Sequence, residues 1–319
     1  VPRTPSVPPS STMRGDTDGL CWHSCNVQGL RTSRMRKRKL FDSLRNSGPQ
    51  ASLYLWQETH HHDQDEIEGW LSKYDGEVLG APCDTGGYGG VCAYIPARSP
   101  LQGCVTQIAA DDATGVAGGG RWQVLRVALP APWNKVLHIV NLYAPPQYAA
   151  RVTLFTSLKH RLEAANYENL ITVGDWNQVV TDVDDVARSR PRNSPLESTA
   201  ALTSFLNALD MIDAYRDQYP DGKMYTHSQP SLDGSVVSTR IDRWHHSPAL
   251  CGLLYHRDPI INRYSHHKTT RVTYCRVPKR HRAPIWVMPR RLACLPRVRD
   301  AIDGIIHKHT AKWQANGHA

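Results

Sequence analysis

Apolar runs in this chain alternate with stretches in which apolar side chains recur at helical spacing. The run Leu-Ile-Thr-Val at residues 170–173 is continuous, which is typical of a buried strand. Residues 122–129 and 135–143 flank a turn that begins at Pro130, and this arrangement predicts an antiparallel hairpin. Altogether, strands are predicted at residues 20–26, 53–56, 91–95, 122–129, 135–143, 170–173, 236–244 and 260–274.

Helices are predicted between these strands. They are expected at residues 31–46, 65–74, 152–162 and 198–209. Ser198 is the expected N-cap of the last helix, because serine side chains satisfy free backbone N–H groups at helix starts. Hairpin strands interleaved with a few helices favour an α/β sandwich, with helices packed outside antiparallel sheets.

Composition places limits on the class of protein. The chain has 319 residues, of which 40% are hydrophobic and 21% charged, and this fits one large domain or two small ones. No apolar run approaches the roughly 20 residues of a membrane span, so no membrane association is expected. Residues 1–19 are polar and rich in Pro, Ser and Thr, which predicts disorder. The eight cysteines are scattered, which suggests reduced thiols and an intracellular location in nucleus and cytoplasm.

Charge is distributed unevenly. Residues 41–258 hold 17 Lys and Arg against 25 Asp and Glu, a balance of −8, whereas residues 259–299 hold 11 basic residues and no acids. Residues 31–39 hold six basic residues among nine. An acidic body with basic flanks suits a metal-using body with polyanion-binding ends, although a solvated linker is the alternative after Cys275. Candidate nucleic-acid-binding residues are Arg31, Arg34, Lys37 and Arg240.

Polar residues stand at or just beyond the ends of the predicted strands. They are Asn26, Glu58, Tyr143, Asp175, Asn177, Asp242 and His267. Because side chains just past a buried strand have a rigid support, these groups predict one cleft along one edge of the sandwich. Taken alone, the Gly174-Asp175-Trp176-Asn177 segment is more simply explained as an ordinary turn.

Seven short motifs occur in a fixed order along the chain. They are Asn26-Val27-Gln28-Gly29-Leu30, Gln57-Glu58-Thr59, Gly87-x-Gly89-Gly90-Val91, Asn141-Leu142-Tyr143-Ala144-Pro145, Gly174-Asp175-Trp176-Asn177, Arg240-Ile241-Asp242 and Ser265-x-His267. Together they resemble the endonuclease/exonuclease/phosphatase superfamily, and within it the apurinic-type endonuclease domains of non-LTR (LINE-type) retrotransposons. The resemblance covers about residues 20–275 and implies a four-layered αββα sandwich.

The resemblance implies a metal site on oxygen ligands. Glu58 would be the main ligand of Mg²⁺, helped by Asn26, since a hard cation prefers oxygen. Mn²⁺ is the alternative ion.

The resemblance also implies catalytic roles. Asp175 would take part in proton transfer, and Asn177 would hold the scissile phosphate or the attacking water. Tyr143 would hydrogen-bond the phosphate. Asp242 would orient His267, and that pair would contact the phosphate or activate water.

The implied activity is Mg²⁺-dependent nicking of target DNA, which leaves a 3′ hydroxyl to prime reverse transcription. Residues 276–319 resemble the basic connector that leads from such endonucleases towards a reverse transcriptase, and a helix is plausible at 292–307. DNA is the implied partner, with element RNA reached through a reverse transcriptase portion. Two alternatives stay open: a repair-type AP endonuclease or a phosphatase of the same superfamily, and a catalytically impaired nucleic-acid-binding copy.

Three local features need separate comment. The family's last motif is usually Ser-Asp-His, but here His266 replaces the carboxylate, which predicts weakened Mg²⁺ binding and low activity. His60, His61 and His62 cannot all face one ion, so a solvated loop is expected there. The pair Thr226-His227 matches a Thr-aromatic position of the family, and a structural role is at least as plausible.

Overall fold

The computed structural model describes residues 19–30, 38–39, 42, 51–72, 74–84, 86, 88–112, 119–180, 186–187, 196–230, 235–262, 264–277, 300 and 303. The chain divides into a unit at residues 1–279 and a second at 280–319. In the second unit the structure describes Asp300 and Asp303, which are helical, and the rest of the helix predicted at 292–307 lies outside the described residues. Of the segment predicted to be disordered, residues 1–18 also lie outside them, whereas Gly19 is the first residue of a strand.

Most of the predicted strands are present. In chain order the strands are β1 (Gly19–Asn26), β2 (Leu53–Gln57), β3 (Gly76–Ala81), β4 (Val91–Pro96), β5 (Val105–Ala110), β6 (Trp122–Ala128), β7 (Val136–Tyr143), β8 (Leu170–Asp175), β9 (Val186–Ala187), β10 (Ile212–Asp213), β11 (His227–Pro230), β12 (Val236–Thr239), β13 (Asp242–His246), β14 (Leu254–Ile260) and β15 (Thr269–Cys275). The predicted hairpin is confirmed as the antiparallel pair β6 and β7. Strands β3 and β5 were not predicted, and two predicted segments, 236–244 and 260–274, are each divided between two strands.

Two six-stranded sheets form the body of the first unit. The first sheet has the order β14-β15-β1-β2-β4-β3, and the second has the order β10-β13-β8-β7-β6-β5. Most neighbours are antiparallel, but β1 and β2 are parallel, as are β7 and β8. Parallel neighbours end at the same edge of a sheet, so each sheet brings two strand ends together. A small third sheet has the order β11-β12-β9.

The two large sheets pack face to face over an apolar core. Side chains of both sheets contribute to it, among them Trp22, Leu55 and Ile95 of the first and Leu125 and Ile171 of the second. Burial of such side chains is the main favourable term in folding. The core therefore fixes the two sheets against each other and leaves their polar ends at the rim.

Helices cover the outer faces of both sheets. They are α1 (Gln64–Leu71), α2 (Tyr148–Ala165) and α3 (Leu196–Ala208). The short α4 (Ala214–Gln218) and a 3₁₀ turn at Pro248–Leu250 instead contribute Ala214 and Leu250 to the core between the sheets. Ile67 of α1 packs against the outside of the first sheet. Phe155 of α2 and Phe205 of α3 pack with Trp176 outside the second sheet. The αββα sandwich predicted from the motifs is confirmed.

The predicted helix start at Ser198 is wrong. Helix α3 includes Leu196, and the Ser198 hydroxyl accepts a bond from Arg151 Nε at 2.9 Å and donates to Gln178 Oε1 at 2.7 Å. Tertiary partners therefore hold this side chain. The helix predicted at 31–46 lies outside the described residues, except Arg38, Lys39 and Asp42, which are helical.

Gly174 also has a different function from the sharp turn expected of it. It lies inside β8, and a Cβ atom there would collide with the carbonyl group of Leu142 on the adjacent strand. Its φ of 140° is one that glycine adopts without strain. Glycine is therefore needed for the close approach of β7 and β8.

Within the described part of the chain, the cysteines at 21, 25, 83, 92, 104, 251 and 275 form no disulfide, as expected. No helix among the described residues has the length and apolar character needed to cross a bilayer.

Candidate active site

A row of polar side chains crosses the end of the second sheet. Tyr143 lies opposite Asp175 in the parallel pair of β7 and β8, and Asp242 lies opposite Asp175 in the antiparallel pair of β8 and β13. All three residues are buried. Tyr143 and Asp175 end their strands, as predicted, but Asp242 begins β13. The antiparallel direction of β13 is what brings its first residue to this edge.

The first sheet supplies the facing group. Asn26 is the last residue of β1, and Glu58 directly follows β2, its parallel neighbour. Asn26 Nδ2 donates to Asp175 Oδ2 at 2.9 Å, so this bond joins the two sheets at the polar edge. The two rows therefore form one site, as the strand-end pattern predicted.

His267 completes one corner of this site. Its Nδ1 lies 3.1 Å from Asp242 Oδ1 and 3.0 Å from Oδ2, and its Nε2 lies 3.9 Å from Asp175 Oδ2. The Ser265 hydroxyl accepts from the His267 backbone N–H and donates to Asn26 O, which anchors the loop before β15. We call Asp175, Asp242 and His267 the Asp175 corner.

The protonation of the Asp175 corner is set by burial and charge. Burial alone would lower the pKa of His267, but Asp242 and Asp175 outweigh it and raise that pKa to about 9. Burial and the nearby Asp242 raise the pKa of Asp175 well above its usual range, against the opposing effect of His267. At neutral pH the corner therefore holds an imidazolium and a carboxyl group that exchanges a proton readily.

The corner is also supported from behind. Thr226 Oγ1 accepts from the backbone N–H groups of Ile241 and Asp242, so Thr226 acts structurally. The His227 ring lies 4.5 Å from the His267 ring, and burial lowers the pKa of His227 to about 4. A neutral ring thus packs against the charged one.

Asn177 is held beside Asp175 in a fixed pose. Its backbone N–H donates to Asp175 Oδ1 at 2.9 Å, and its Nδ2 donates to Ala144 O at 2.8 Å. Its φ of 45° is left-handed, which asparagine tolerates better than most residues. The Asn177 amide therefore ties the end of β8 to the loop that follows Tyr143.

Glu58 lies in a second corner with Asn26 and His60, which we call the Glu58 corner. The Glu58 side chain is 19% exposed. Burial would raise its pKa, but the adjacent His60 imidazole, the Asn26 amide and the charge of His267 outweigh burial and lower it. Glu58 is therefore an ionised oxygen donor with access to solvent.

The Glu58 corner fits a hard divalent cation. A carboxylate and an amide oxygen are the donors that Mg²⁺ prefers, and partial exposure leaves room for the waters that it keeps. Asn26 Oδ1 accepts from Gln28 N at 2.9 Å, which fixes the orientation of this amide beside Glu58. When bound, such an ion supplies positive charge that neutralises a phosphate oxygen.

The Asp175 corner is a second group of three side chains that could hold a metal, with ligand atoms within 4.8 Å of one another. Within this group, however, His267 Nδ1 pairs with Asp242, and the Asp175 carboxylate accepts from Asn26 Nδ2 and from Asn177 N. The partly exposed Glu58 carboxylate is therefore the more accessible oxygen donor for a cation.

Sequence patterns did not reveal two buried arginines. Arg121 lies over the Tyr143 ring at 4.9 Å, and Arg151 donates to Pro145 O and Pro146 O in the loop after Tyr143. Burial, Glu58 and Asp175 raise the pKa of Tyr143, against the effect of Arg121, so its hydroxyl stays a hydrogen-bond donor. Arg121 lies 22 residues before Tyr143, and Arg151 lies only six residues after Pro145 but also binds the distant Ser198, so neither is marked by the motifs alone.

Two predictions need correction. Arg240 does not face a nucleic acid, because its side chain is 2% exposed and its guanidinium pairs with Asp213 at 2.8 Å. The histidine run is not a solvated loop, because His61 is fully buried against Thr59 while His62 contacts Cys83 O. The histidines do face different partners, as expected. The other candidate nucleic-acid-binding residues, Arg31, Arg34 and Lys37, lie outside the described residues.

Several solved structures share this sandwich. AP endonuclease LMAP from Leishmania major gives a TM-score of 0.62 at 18% identity, covering 81% of this chain and 88% of that one. The 3′ phosphatase NExo from Neisseria, bound to a product DNA hairpin, gives 0.57 at 18% identity, covering 80% and 99%. The endonuclease domain of TRAS1, a telomere-specific non-LTR retrotransposon, gives 0.54 at 13% identity, covering 81% and 98%. The chain has the fold of these nucleases and phosphatases.

A sequence relative comes from a transposon. The transposon TX1 uncharacterized 149 kDa protein of Xenopus laevis is 29% identical over 114 residues. This match covers 34% of the chain and only 8% of that protein. No protein-family model matches the chain.

Proposed function

We propose that this chain is a Mg²⁺-dependent DNA endonuclease of the endonuclease/exonuclease/phosphatase superfamily and part of a retrotransposon polyprotein. It nicks target DNA and leaves a 3′ hydroxyl that primes reverse transcription, and the protein is located inside the cell, in nucleus and cytoplasm. The nuclease fold, the TRAS1 endonuclease neighbour and the TX1 relative support this setting.

The observation that carries the proposal is the meeting of two corners with different electrostatics. The Asn26 amide lies between the Glu58 carboxylate and Asp175, so a metal-binding group and a proton-transfer group share one partner. Phosphodiester hydrolysis needs charge neutralisation at phosphorus together with proton transfer at the attacking water. The two corners offer both functions within one cleft.

Each residue then has a chemical task. Asp175 accepts a proton from the attacking water, because its raised pKa suits proton exchange near neutral pH. As the water oxygen bonds to phosphorus, the bond from phosphorus to the 3′ oxygen breaks, and the departing 3′ oxygen takes a proton from solvent water. His267, held by Asp242, places its cationic ring towards the phosphate. The hydroxyl of Tyr143 donates to a phosphate oxygen, and the Asn177 amide positions the phosphate or the water.

A plasmid-nicking assay tests the proposal. Conversion of supercoiled to nicked plasmid should require Mg²⁺, stop with EDTA and fall at least about 100-fold in Glu58→Ala, the metal variant. Glu68→Ala is the matched control, since Glu68 is an exposed carboxylate on α1. The nicked product should be extended directly by a polymerase, which requires a 3′ hydroxyl. Nicking that survives both EDTA and Glu58→Ala refutes the metal mechanism.

In this proposal His266 makes the enzyme less active than one with the family's usual Asp at this position. It is exposed in the loop before β15, and its backbone N–H donates to Gln28 Oε1, next to the Asn26 region. An imidazole there lacks the negative charge that favours a divalent cation. We expect His266→Asp to tighten Mg²⁺ binding and increase nicking several-fold, whereas no gain would show that this position does not limit activity.

A repair-type AP endonuclease is the second candidate, because the Leishmania AP endonuclease gives a higher TM-score than the retrotransposon domain. Duplexes with and without one abasic site separate the two functions. A retrotransposon endonuclease should cut both at similar rates, while a repair enzyme should prefer the abasic duplex by orders of magnitude. DNA binding without cleavage of either duplex would indicate an impaired copy. The basic residues Arg31, Arg34 and Lys37 are proposed to contact DNA in all three cases.

A further inference from the structure

His60 has an unusual position beside the proposed metal ligand. Glu58 and His60 have φ values of 57° and 58°, which are left-handed and strained for residues with side chains. Gly29 N donates to Glu58 O at 2.7 Å, while Thr59 N and His60 N donate to Gly90 O and Gly89 O. Backbone bonds from two loops thus hold this segment in a conformation that it would not adopt alone.

The Nε2 atom of His60 is directed at the Glu58 carboxylate without a good hydrogen bond. It is inaccessible to solvent, and its contact with Glu58 Oε1 spans 3.5 Å, the outer limit of hydrogen-bond distance. That separation exceeds the 2.7–3.2 Å of ordinary N–H···O bonds. Two ligands of one ion at about 2.1 Å lie roughly 3.0–3.6 Å apart. The observed separation therefore fits two ligands of one ion.

The imidazole ring is held in this pose on two sides. The Tyr88 ring packs edge-on against it with centroids 5.6 Å apart. On the other side Gly29 packs so closely that a Cβ there would lie 2.7 Å from His60 Nδ1. The Nδ1 edge thus faces Gly29, and Nε2 faces Glu58.

We propose that His60 Nε2 is a direct nitrogen ligand of the divalent ion held by Glu58. The inference rests on the proposed metal-dependent function and specifies its metal site. Mg²⁺ takes oxygen ligands, whereas imidazole binds first-row transition ions. One imidazole beside two oxygen ligands therefore strengthens the binding of transition ions, Mn²⁺ included, relative to Mg²⁺, while the oxygen ligands still accept Mg²⁺.

The competing explanation is that His60 only orients Glu58 through a long hydrogen bond. In that case its removal weakens Mn²⁺ and Mg²⁺ binding by the same factor, because the effect acts through the carboxylate. Direct ligation instead weakens Mn²⁺ binding selectively and leaves a spectroscopic signature of nitrogen on the ion.

Electron spin-echo envelope modulation of Mn²⁺ bound to the full chain tests the proposal. The wild-type protein should show ¹⁴N coupling from a directly bound imidazole, and His60→Gln should lose it. His62→Gln is the matched control and should keep it, since His62 contacts Cys83 O instead. By calorimetry His60→Gln should weaken Mn²⁺ binding about tenfold and Mg²⁺ binding less than threefold.

The contradictory outcomes are distinct. Mn²⁺ binding that depends on Glu58 but shows no ¹⁴N coupling overturns the role of His60 and leaves the proposed function standing. Equal weakening of Mn²⁺ and Mg²⁺ binding in His60→Gln would likewise show that His60 is not a ligand, and it would leave the proposed function standing. If Glu58→Ala binds Mn²⁺ as tightly as wild type does, both the His60 ligand and the proposed metal site are wrong. The same conclusion follows if ¹⁴N coupling persists in His60→Gln but disappears in His267→Gln.

Discussion

Two carboxylate–histidine pairs lie in the same cleft, and they differ in almost every physical respect. His267 Nδ1 lies within 3.1 Å of both oxygens of Asp242, and the two side chains are 6% and 1% exposed. His60 Nε2 lies 3.5 Å from one oxygen of Glu58, and those side chains are 20% and 19% exposed. A carboxylate and an imidazole thus form a short, buried ion pair in one corner and a longer, partly solvent-exposed pair in the other.

The difference shows that the distance and burial of a carboxylate–histidine pair, and not its composition alone, determine which chemistry the pair suits. In the buried pair the neighbouring carboxylates outweigh burial and raise the pKa of His267 to about 9, which supports the proposed role of this corner in proton transfer. A loose pair at the solvent boundary leaves lone pairs free for a cation. The Asn26 amide joins the two corners and keeps them at a fixed separation.

The largest predicted effect is at Asp175. Asp175→Asn removes the proton acceptor and keeps the shape, although its single amide oxygen can accept from only one of Asn26 Nδ2 and Asn177 N. Nicking should fall about 1,000-fold while Mn²⁺ affinity changes little. Plasmid nicking and calorimetric Mn²⁺ titration measure the two quantities. Asp65→Asn, at an exposed carboxylate on α1, is the control and should match wild type. If Asp175→Asn still nicks DNA at the wild-type rate, Asp175 is not the group that accepts the proton.

Arg151 should have the next largest effect, through position. Its guanidinium bonds to Pro145 O, Pro146 O and Ser198 Oγ, so Arg151→Leu leaves buried acceptors without donors. The free energy of unfolding should fall by about 2–4 kcal/mol, and kcat should fall more than KM rises, because the loop after Tyr143 moves. Urea unfolding and steady-state kinetics measure both effects.

Two further variants sharpen the Arg151 prediction. Arg151→Lys should recover only part of the stability, since a single ammonium group cannot reach all three acceptors. Arg126→Leu removes an exposed arginine of β6 and should change neither quantity. A loss of stability with unchanged kcat in Arg151→Leu would show that the arginine supports the fold without positioning the site.

The fold could be predicted where the pattern was strong and local. Strands β6, β7 and β8 are long apolar or alternating runs, and they were found nearly to the residue. Strand β3 contains Gly76 and Gly80, and β5 has a register shift between Gln107 and Ala109, so neither gives a clean period-two signal. Ser198 had the residue type of a cap, but Arg151 and Gln178, distant in sequence, bind its hydroxyl.

The site could be predicted only as far as motifs mark it. Glu58, Asp175 and Asp242 stand at or next to strand termini, and His267 lies in the loop before β15, so the motifs that name them coincide with one edge of the sandwich. The supporting arginines and the ligand-like pose of His60 depend on contacts between distant loops, which no spacing rule encodes. Arg240 shows the converse, since a motif arginine that suggested DNA contact is instead buried in an ion pair with Asp213.

The smallest predicted effect is on the pH dependence of stability. The pKa of His267 is raised from 6.5 to about 9, so its ion pair contributes fully below pH 6.5 and is lost as pH rises through about 9. In urea unfolding, the stability difference between wild type and His267→Gln should shrink by roughly 3 kcal/mol between pH 6 and pH 10.

His227 provides the matched comparison. Its pKa is lowered to about 4, so it is neutral in the fold and reduces stability only as pH falls below 6.5. The stability difference between wild type and His227→Gln should therefore be independent of pH between pH 7 and pH 10. A difference for His267→Gln that stays constant over the same range would mean that the ring is not held as a cation.

The central claim is that the Glu58 corner binds the metal ion and the Asp175 corner transfers the proton. It is tested most directly by Mn²⁺ affinity in two variants measured side by side. Calorimetry should show that Glu58→Gln weakens Mn²⁺ binding at least about 30-fold and that Asp175→Asn changes it less than threefold, with both variants deficient in nicking. The reverse result, with affinity lost in Asp175→Asn and kept in Glu58→Gln, would place the ion among Asp175, Asp242 and His267 and contradict the account.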